Sequence, residues 1–480
     1  MSANYYQPFL GYDFAPNPAV IFPTVIANYD WDLFTNLGKE YYRCVNQFWK
    51  EEQRWSQRET KTADYQGRLF DFPSSTSFRR DKNPKGAGRR PTEFFSLFQS
   101  FVCARYMDIE VNSRTVCSLL NSNPAFLERM NFKRIPSYRT IDRYDQIMSE
   151  HSLWEKACYL TIRRNITEKV INPKEECALI VDTTHIPAKA KKGKVIKPCK
   201  ECPFFKTCKA KIQTDDNAGV LVKKKGEVYF AHKVGFLTPG KTALPLNYLV
   251  DRGERHDSNF LEPLIDDLIV NLPEFVEPTD FVVGDGAFNS RDQEQMIKEK
   301  LHAQLVAPIN PRNAKGQTNP ARGIKEITPY GQPICINGFP LFLLGQDHKT
   351  REYIWACPKL NPNSPEYEQG FSCHLKEHCS EGSKGRFYRT KADEFTQINW
   401  DFPQFGRKAR YLLALRTTIE REFSWLKHSL KMESLWKRNK KNVIAHVAKC
   451  LISMHIVANV AHKVGCPQSQ NRIKTFLGDL

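Results

Sequence analysis

Two short apolar runs, each closed by an aspartate, constrain this chain more than any other feature. Ala178-Leu179-Ile180-Val181 ends at Asp182, and Phe281-Val282-Val283 ends at Gly284-Asp285-Gly286. Runs this short, apolar throughout and bounded by polar or glycine residues, read as buried strands. Around them Tyr229 to Leu237 and Leu244 to Val250 read as further strands, Phe260 to Leu272 as an amphipathic helix, Arg291 to Lys300 as a helix and Gln304 to Ala307 as a strand. That order describes a mixed α/β core. Ligand sites in such folds gather at the carboxyl edge of the sheet, which is where Asp182 and Asp285 are expected. The glycines flanking Asp285 leave room for close approach of backbone or ligand.

A chain of 480 residues exceeds one hydrophobic core and is expected to divide into two to four domains. Residues 1–90 carry no assignable periodicity and end in the basic run RRDKNPKGAGRR, Arg79 to Arg90, a linker or an arm on phosphates. Residues 91–165 are expected to form a helical, helix-turn-helix-like DNA-binding domain. Phe94, Leu97, Phe98, Phe101 and Val102 recur at helical spacing, and Val116, Leu119 and Leu120 begin another short helix. Ser137 then caps a helix that carries Arg139 and Arg143 on its first turns, the candidate DNA contacts. Residues 166–311 hold the first part of the core, with a Cys/Lys-rich loop at 189–226. Residues 312–400 switch to short strands and turns, a β-rich insertion, and 401–480 return to helices that complete the core.

A third acid stands in that last segment. Within a helix expected from Leu412 to Leu430, Ile419, Phe423, Leu426 and Leu430 make an apolar stripe, with Arg416, Glu420 and Lys427 on a polar stripe beside it. Three carboxylates, Asp182, Asp285 and Glu420, form an oxygen-only donor set that selects hard cations, Mg²⁺ or Mn²⁺. Two such ions, about 3.5–4 Å apart, activate the attacking oxygen and stabilise the leaving one in phosphoryl displacement. Arg416 and Lys427 would grip phosphates. Taken singly, an aspartate after a strand is also an ordinary turn residue, and Arg416–Glu420 an ordinary helix pair. Glu422 is the rival third acid. At 3.6 residues per turn it points about 160° from Glu420, off the polar stripe, and Glu420 is preferred.

The balance of 71 Lys and Arg against 53 Asp and Glu gives a formal charge of +18, which favours a polyanionic partner. No stretch reads as a membrane span and the first thirty residues carry no signal-peptide pattern, so a cytoplasmic location and no membrane partner are expected. In a reducing compartment the 14 cysteines read as thiols or metal ligands. Cys199-x2-Cys202-x5-Cys208 and the later Cys357, Cys373 and Cys379 suit structural Zn²⁺. The first group needs a fourth ligand, with Cys177 or the second group as candidates, and His374 and His378 could serve the second. Free thiols on loops are the alternative. His185 and His256 are weaker candidates near the acids, as contacts or as structural residues.

Arg416-x3-Glu420-x6-Lys427 resembles the signature of the DDE transposases of bacterial insertion sequences, in the branch with a Tyr-x2-Arg-x3-Glu-x6-Lys motif. Leu413 occupies the Tyr position, and Tyr411 lies two residues earlier. Val181-Asp182-Thr183-Thr184 and Gly284-Asp285-Gly286-Ala287-Phe288 are similar to the family's two Asp motifs, and Arg255-His256-Asp257 to its short His-Asp motif. Pro136 to Thr140 resembles its DNA-binding region, and Leu435-Trp436-Lys437-Arg438-Asn439-Lys440-Lys441 its basic tail, placing Arg438 among the candidate DNA contacts. The likeness spans roughly residues 90–465. It implies an RNase H-like core with a β-rich insertion before the catalytic helix. It further implies a homodimer on double-stranded DNA, both the terminal inverted repeats and the target, and cut-and-paste movement with two Mg²⁺ (or Mn²⁺) per active site in a bacterial, nucleoid-associated setting. A nuclease without strand transfer and a transposase-derived DNA-binding protein are the alternatives.

Overall fold

The computed structural model describes residues 25–48, 93–107, 109–132, 134–189, 215, 217–222, 228–310, 321–395, 398–467 and 470. The basic run Arg79 to Arg90, Cys199, Cys202, Cys208 and most of the Lys-rich loop lie outside the described residues. The chain forms two compact units. One comprises Met1–Val170, Ile186–Ala218 and Ser424–Leu480, the other Ile171–His185 and Gly219–Phe423.

The second unit is built on a six-stranded mixed sheet. Its strands are β1 (Ala178–Pro187), β2 (Gly219–Val222), β3 (Val228–Pro239), β4 (Asn247–Arg252), β5 (Phe281–Val283) and β6 (Gln304–Val306), in the order β2-β3-β1-β5-β6 with β4 also on β3. β1 and β5 run parallel, as do β5 and β6. β2 and β4 pair antiparallel with successive halves of β3, whose far end returns to the start of β1 through Gly240 N–H donating to Ala178 O at 2.8 Å. Leu179, Ile180, Val181, Val282 and Val283 are wholly buried, as expected of strands covered on both faces. Helix Leu261–Asn271 presses Leu261, Leu264, Ile265 and Leu268 into the core, and helix Arg291–Leu301 contributes Ile297 and Leu301. β1 does not stop at Asp182 as its pattern suggests but runs on to Pro187, so the aspartate is a mid-strand residue.

The region after the core carries β7 (Ile324–Ile327), β8 (Pro333–Cys335), β9 (Phe342–Asp347), β10 (Glu352–Ala356) and β11 (Phe387–Lys391), as a two-stranded and a three-stranded antiparallel sheet. They share a small core of Ile324, Leu341, Tyr353, Trp355, Phe395 and neighbours. The expected single helix from Leu412 to Leu430 is instead broken. Arg407–Ala414 ends at Leu415, Arg416–Ser424 follows, and Trp425–Ser429 is a π-turn. No Gly or Pro marks these breaks, so the apolar period alone could not reveal them.

The first unit is helical. Phe94–Cys103, Tyr138–Glu150 and Leu153–Thr167 pack with the long helix Lys440–Lys463, while Ser113–Ser122 packs on Tyr138–Glu150 and Pro124–Arg129 on Ser113–Ser122. Ser137 caps Tyr138–Glu150, the fourth of this set in chain order, as its sequence implies, accepting from Thr140 N–H. A helix at 35–48 joins them through Tyr41, which meets Phe94 and Tyr144 with ring centroids 5.7 and 4.9 Å apart. Lys440–Lys463 corrects one expectation, since its 24 residues are long and apolar enough to cross a membrane. Its most apolar window is 94% buried within the protein, the condition of a core helix apolar all round.

Buried at the heart of this unit is an ionic cluster. Asp145, 4% exposed, accepts from Lys449 Nζ at 2.6 Å, from Lys437 Nζ at 3.0 Å and from Trp154 Nε1 at 3.2 Å. Burial alone would raise its pKa, but the two ammonium groups overcome that and hold the carboxyl well below its usual range.

Candidate active site

The register of β1 and β5 places the first two acids. Ala178 pairs with Phe281, Leu179 with Val282 and Ile180 with Val283. Two residues beyond Ile180 stands Asp182, within β1, and two beyond Val283 stands Asp285, in extended backbone just past the end of β5. The ladder therefore brings these aspartates near one another. Asp182 is largely buried, its side chain 15% exposed, and Oδ1 accepts from Thr183 N–H at 2.7 Å. Burial raises its pKa to about 6; the Thr183 amide and Arg416 oppose the shift, and the nearby Asp285 carboxylate adds to it. Asp285 caps the short turn Gly286–Phe288, accepting from Ala287 N–H at 2.8 Å. Gly284 serves packing here and leaves no space for a ligand: a Cβ there would lie 2.8 Å from the Phe288 ring.

The helix Arg416–Ser424 supplies the rest. One guanidinium nitrogen of Arg416 lies 3.5 Å from Asp182 Oδ2 and 3.9 Å from Glu420 Oε1. A single cation thus stands between the two carboxylates, and their oxygens are no farther apart than the sum of those distances. Arg416 Nε is buried with no hydrogen-bond partner among the described residues. Glu420 itself points outward, 61% exposed, rather than sitting at the margin of the core. Glu422 takes the opposite place. It is wholly buried on the face shared with Ile419 and Leu426, and neither of its oxygens has a well-formed hydrogen bond. Burial pushes its pKa well above the carboxylate range, the Thr238 hydroxyl offsets part of this, and the Asp182 charge adds to it. Burial therefore favours the neutral form of Glu422 over the carboxylate.

A second polar group flanks Asp182. Lys233 on β3, 6% exposed, donates to Asp257 at 2.7 Å and to Arg255 O at 2.5 Å. Asp257 Oδ1 also accepts from Thr183 Oγ1 at 2.7 Å, so the residue after Asp182 is anchored to this pair. The ammonium and the hydroxyl outweigh burial and lower the Asp257 pKa. His256 caps the turn Asp257–Phe260. Lys233 and Thr238 gave no sequence signal beyond being polar residues in apolar company, and Glu422 showed only as the rival of Glu420, off its polar stripe.

The other candidates are placed as follows. Lys427 belongs to the helical unit, in an ion pair with Glu433 at 2.8 Å. In that same unit Arg139 is exposed, the Arg143 guanidinium lies 5.6 Å from the Phe48 ring, and Arg438 Nε donates to Lys189 O at 3.1 Å. Tyr411 is 69% exposed. Among the described residues, no group of three or more His, Cys, Asp and Glu side chains is drawn together to metal-binding distance.

A mixed sheet with two aspartates just beyond the last pair of its central ladder, facing a helix that brings Arg and Glu to the first of them, defines an α/β protein with an acidic, oxygen-donor site. Residues 173–454 match the family model described as transposase DDE domain, and the chain belongs to that family. No curated protein matches it. Among solved structures it is similar to piggyBac transposase in a synaptic complex with hairpin DNA, at 12% identity and TM-score 0.34, over 81% of this chain and 71% of that one. It is also similar to a pre-cleavage Mos1 transpososome, at 14% identity and TM-score 0.17, over 62% of this chain and 81% of that one.

Proposed function

We propose that this chain is a cut-and-paste DNA transposase in which Asp182, Asp285 and Glu420 hold two Mg²⁺ or Mn²⁺ ions on an RNase H-like core. The observation that carries the reading is that Asp182 and Asp285 stand two residues beyond the last pair of the β1–β5 ladder, inside the segment that matches the family model. The donors fit such ions in kind, since all are carboxylates. They fit in electrostatics too: two adjacent carboxylates, one with its pKa raised to about 6, make a place where added positive charge is favoured. Arg416 already supplies such charge between Asp182 and Glu420. When bound, the ions would supply Lewis-acid stabilisation of the attacking and leaving oxygens in phosphodiester hydrolysis and strand transfer.

The chain's own groups do the rest. The sheet fixes the aspartate pair, and the Lys233–Asp257–Thr183 bonds fix the backbone after Asp182. Arg416, beside Asp182 and Glu420, would be placed to offer its fork to a phosphate. Arg139, Arg143, Lys427 and Arg438 are the proposed further contacts to double-stranded DNA, at the element's terminal repeats and at the target. Two protomers on DNA would hold two ends, in a cytoplasmic, nucleoid-associated setting.

The test is a Mg²⁺-dependent reaction on a DNA fragment carrying the chain's own flanking ends. Joined products in addition to 3′-OH ends support transposition. Nicks without joining would leave a nuclease, and tight binding without either would leave a DNA-binding protein.

A further inference from the structure

In the antiparallel region after the core, β10 and its neighbour β11 are joined by about 30 residues, Cys357 to Arg386. The only helix within this stretch is the four-residue Lys376–Cys379, and most of its side chains are exposed. A connection so long with so little core of its own is unusual in a compact domain. Something other than apolar burial must hold it.

Its two ends and its middle meet at one cavity of about 20 Å³, room for a single water-sized or ion-sized occupant. Four cysteines line it: Cys335 at the end of β8, and Cys357, Cys373 and Cys379 from the long connection. All four are free thiols that line the one cavity, and among the described residues no three of them stand at metal-binding distance, so binding would draw the sulfurs together.

The surroundings suit thiolates. Cys335-Ile336-Asn337-Gly338 folds into a tight turn, Gly338 N–H donating to Cys335 O at 2.8 Å with φ near 81°, while Phe339 N–H donates to Cys335 Sγ at 3.3 Å. Asn337 Nδ2 lies 3.9 Å from Cys373 Sγ. Glycines at positive φ clear space beside two more of the sulfurs: a Cβ at Gly385 would lie 3.0 Å from Cys357 Sγ, and one at Gly323 would lie 3.1 Å from Cys379 Sγ. Arg386, Lys359 and Lys376 border the same cavity, and Arg386 Nε is buried without a hydrogen-bond partner. These cations match the double negative charge left when four thiolates surround one divalent ion.

We propose that Cys335, Cys357, Cys373 and Cys379 bind one structural Zn²⁺ that pins the long connection to the β7–β8 hairpin. Tetrahedral, four-thiolate coordination is the ordinary form of a closed structural zinc site. The four thiols give up their protons to solvent as the ion binds, so affinity rises with pH. Spacing alone showed three of these ligands, Cys357, Cys373 and Cys379, and offered His374 and His378 to complete them. The fold supplies Cys335, from 22 residues before Cys357.

The full-length chain, purified without chelator, should carry one zinc lost on thiol modification. Co²⁺ exchanged into it should show the sulfur charge-transfer band and the intense visible bands of a tetrahedral tetrathiolate. Cys335→Ser and Cys379→Ser should fall to near-zero metal, Cys335→His should regain it with a weaker sulfur band, and Cys199→Ser with Cys202→Ser should keep it. Zinc that survives Cys335→Ser, or that follows Cys199 and Cys202, overturns the assignment. So does a wild-type Co²⁺ spectrum without tetrathiolate character, or recovery of the four cysteines as two disulfides from reducing cytoplasm. None of these readouts involves DNA, so the outcome is independent of whether the chain transposes.

Discussion

Asp182, within β1, and Asp285, capping the turn just past β5, each stand two residues beyond Ile180 and Val283, the last pair of the ladder between the two strands. The ladder therefore brings these acids near one another before any ligand arrives. Burial of Asp182, to which the nearby Asp285 charge adds, makes it resist ionisation.

Burial holds the Asp182 proton up to about pH 6, against about 3.9 for an ordinary aspartate. The folded chain thus holds this proton more tightly than the unfolded one. Stability from the group is complete below about pH 4 and is lost as pH rises through 6, at a cost of about 3 kcal/mol by neutral pH. Asp182→Asn should raise the melting temperature at pH 7.5 by several degrees, leave it little changed at pH 4, and abolish DNA cleavage. Scanning calorimetry at both pH values checks the first two.

Divalent cations should act on the same charge. Mg²⁺ or Mn²⁺ should raise the melting temperature of the wild-type chain at pH 7.5, because a ligand that binds only the folded state stabilises it. The effect should shrink below pH 6, where Asp182 is protonated, and vanish in Asp182→Asn. Equal stabilisation of that variant would place the cation elsewhere.

Glu420 and Glu422 should separate cleanly. Glu420→Gln should reduce cleavage on the order of 10³-fold, the loss of several kcal/mol of transition-state stabilisation. Glu422→Gln puts a neutral amide where burial disfavours the carboxylate, so it should keep most activity and cost little stability at pH 7. The reverse pattern in a single-turnover cleavage assay would move the third acid to Glu422.

Arg416 lowers the Asp182 pKa, so its loss carries a specific signature. Arg416→Gln should shift the acid limb of the cleavage pH profile upward, beyond pH 6, in addition to weakening activity. A merely structural arginine would lower the plateau and leave that limb in place.

In the helical unit, Asp145→Ala should cost about 3–5 kcal/mol, since it strands the buried ammonium of Lys449. Asp145→Ala combined with Lys449→Met should recover much of that. Denaturant unfolding of the two variants measures the difference. As the folded Asp145 pKa is depressed, its contribution is present above the ordinary carboxylate range and fades as pH falls below it.

The sequence was informative wherever burial and period coincide. The apolar runs before Asp182 and Asp285 exposed both strands, and Ser137 marked the start of its helix. Legibility failed where a polar residue lies on an apolar face. Glu422 has the helical phase of a core position and the chemistry of a surface one, and only the fold decides between them. Lys233 looks like a solvent-facing strand residue until Asp257 and Arg255 O are seen around it. Cys335 has no nearby cysteine to form a pattern. The breaks at Leu415 and Trp425 lack the Gly or Pro that usually announces them.

The pairing of β1 with β5 joins segments about a hundred residues apart in the chain, and Glu420 follows more than a hundred residues later still. Contacts of that span close slowly, because the entropy of the intervening loop is lost before the pairing rewards it. During synthesis the ribosome delivers the helices that precede β1 long before the acids can meet. The candidate site is thus complete only once the chain has been made through Glu420, and a molecule released before that point lacks one of its three acids.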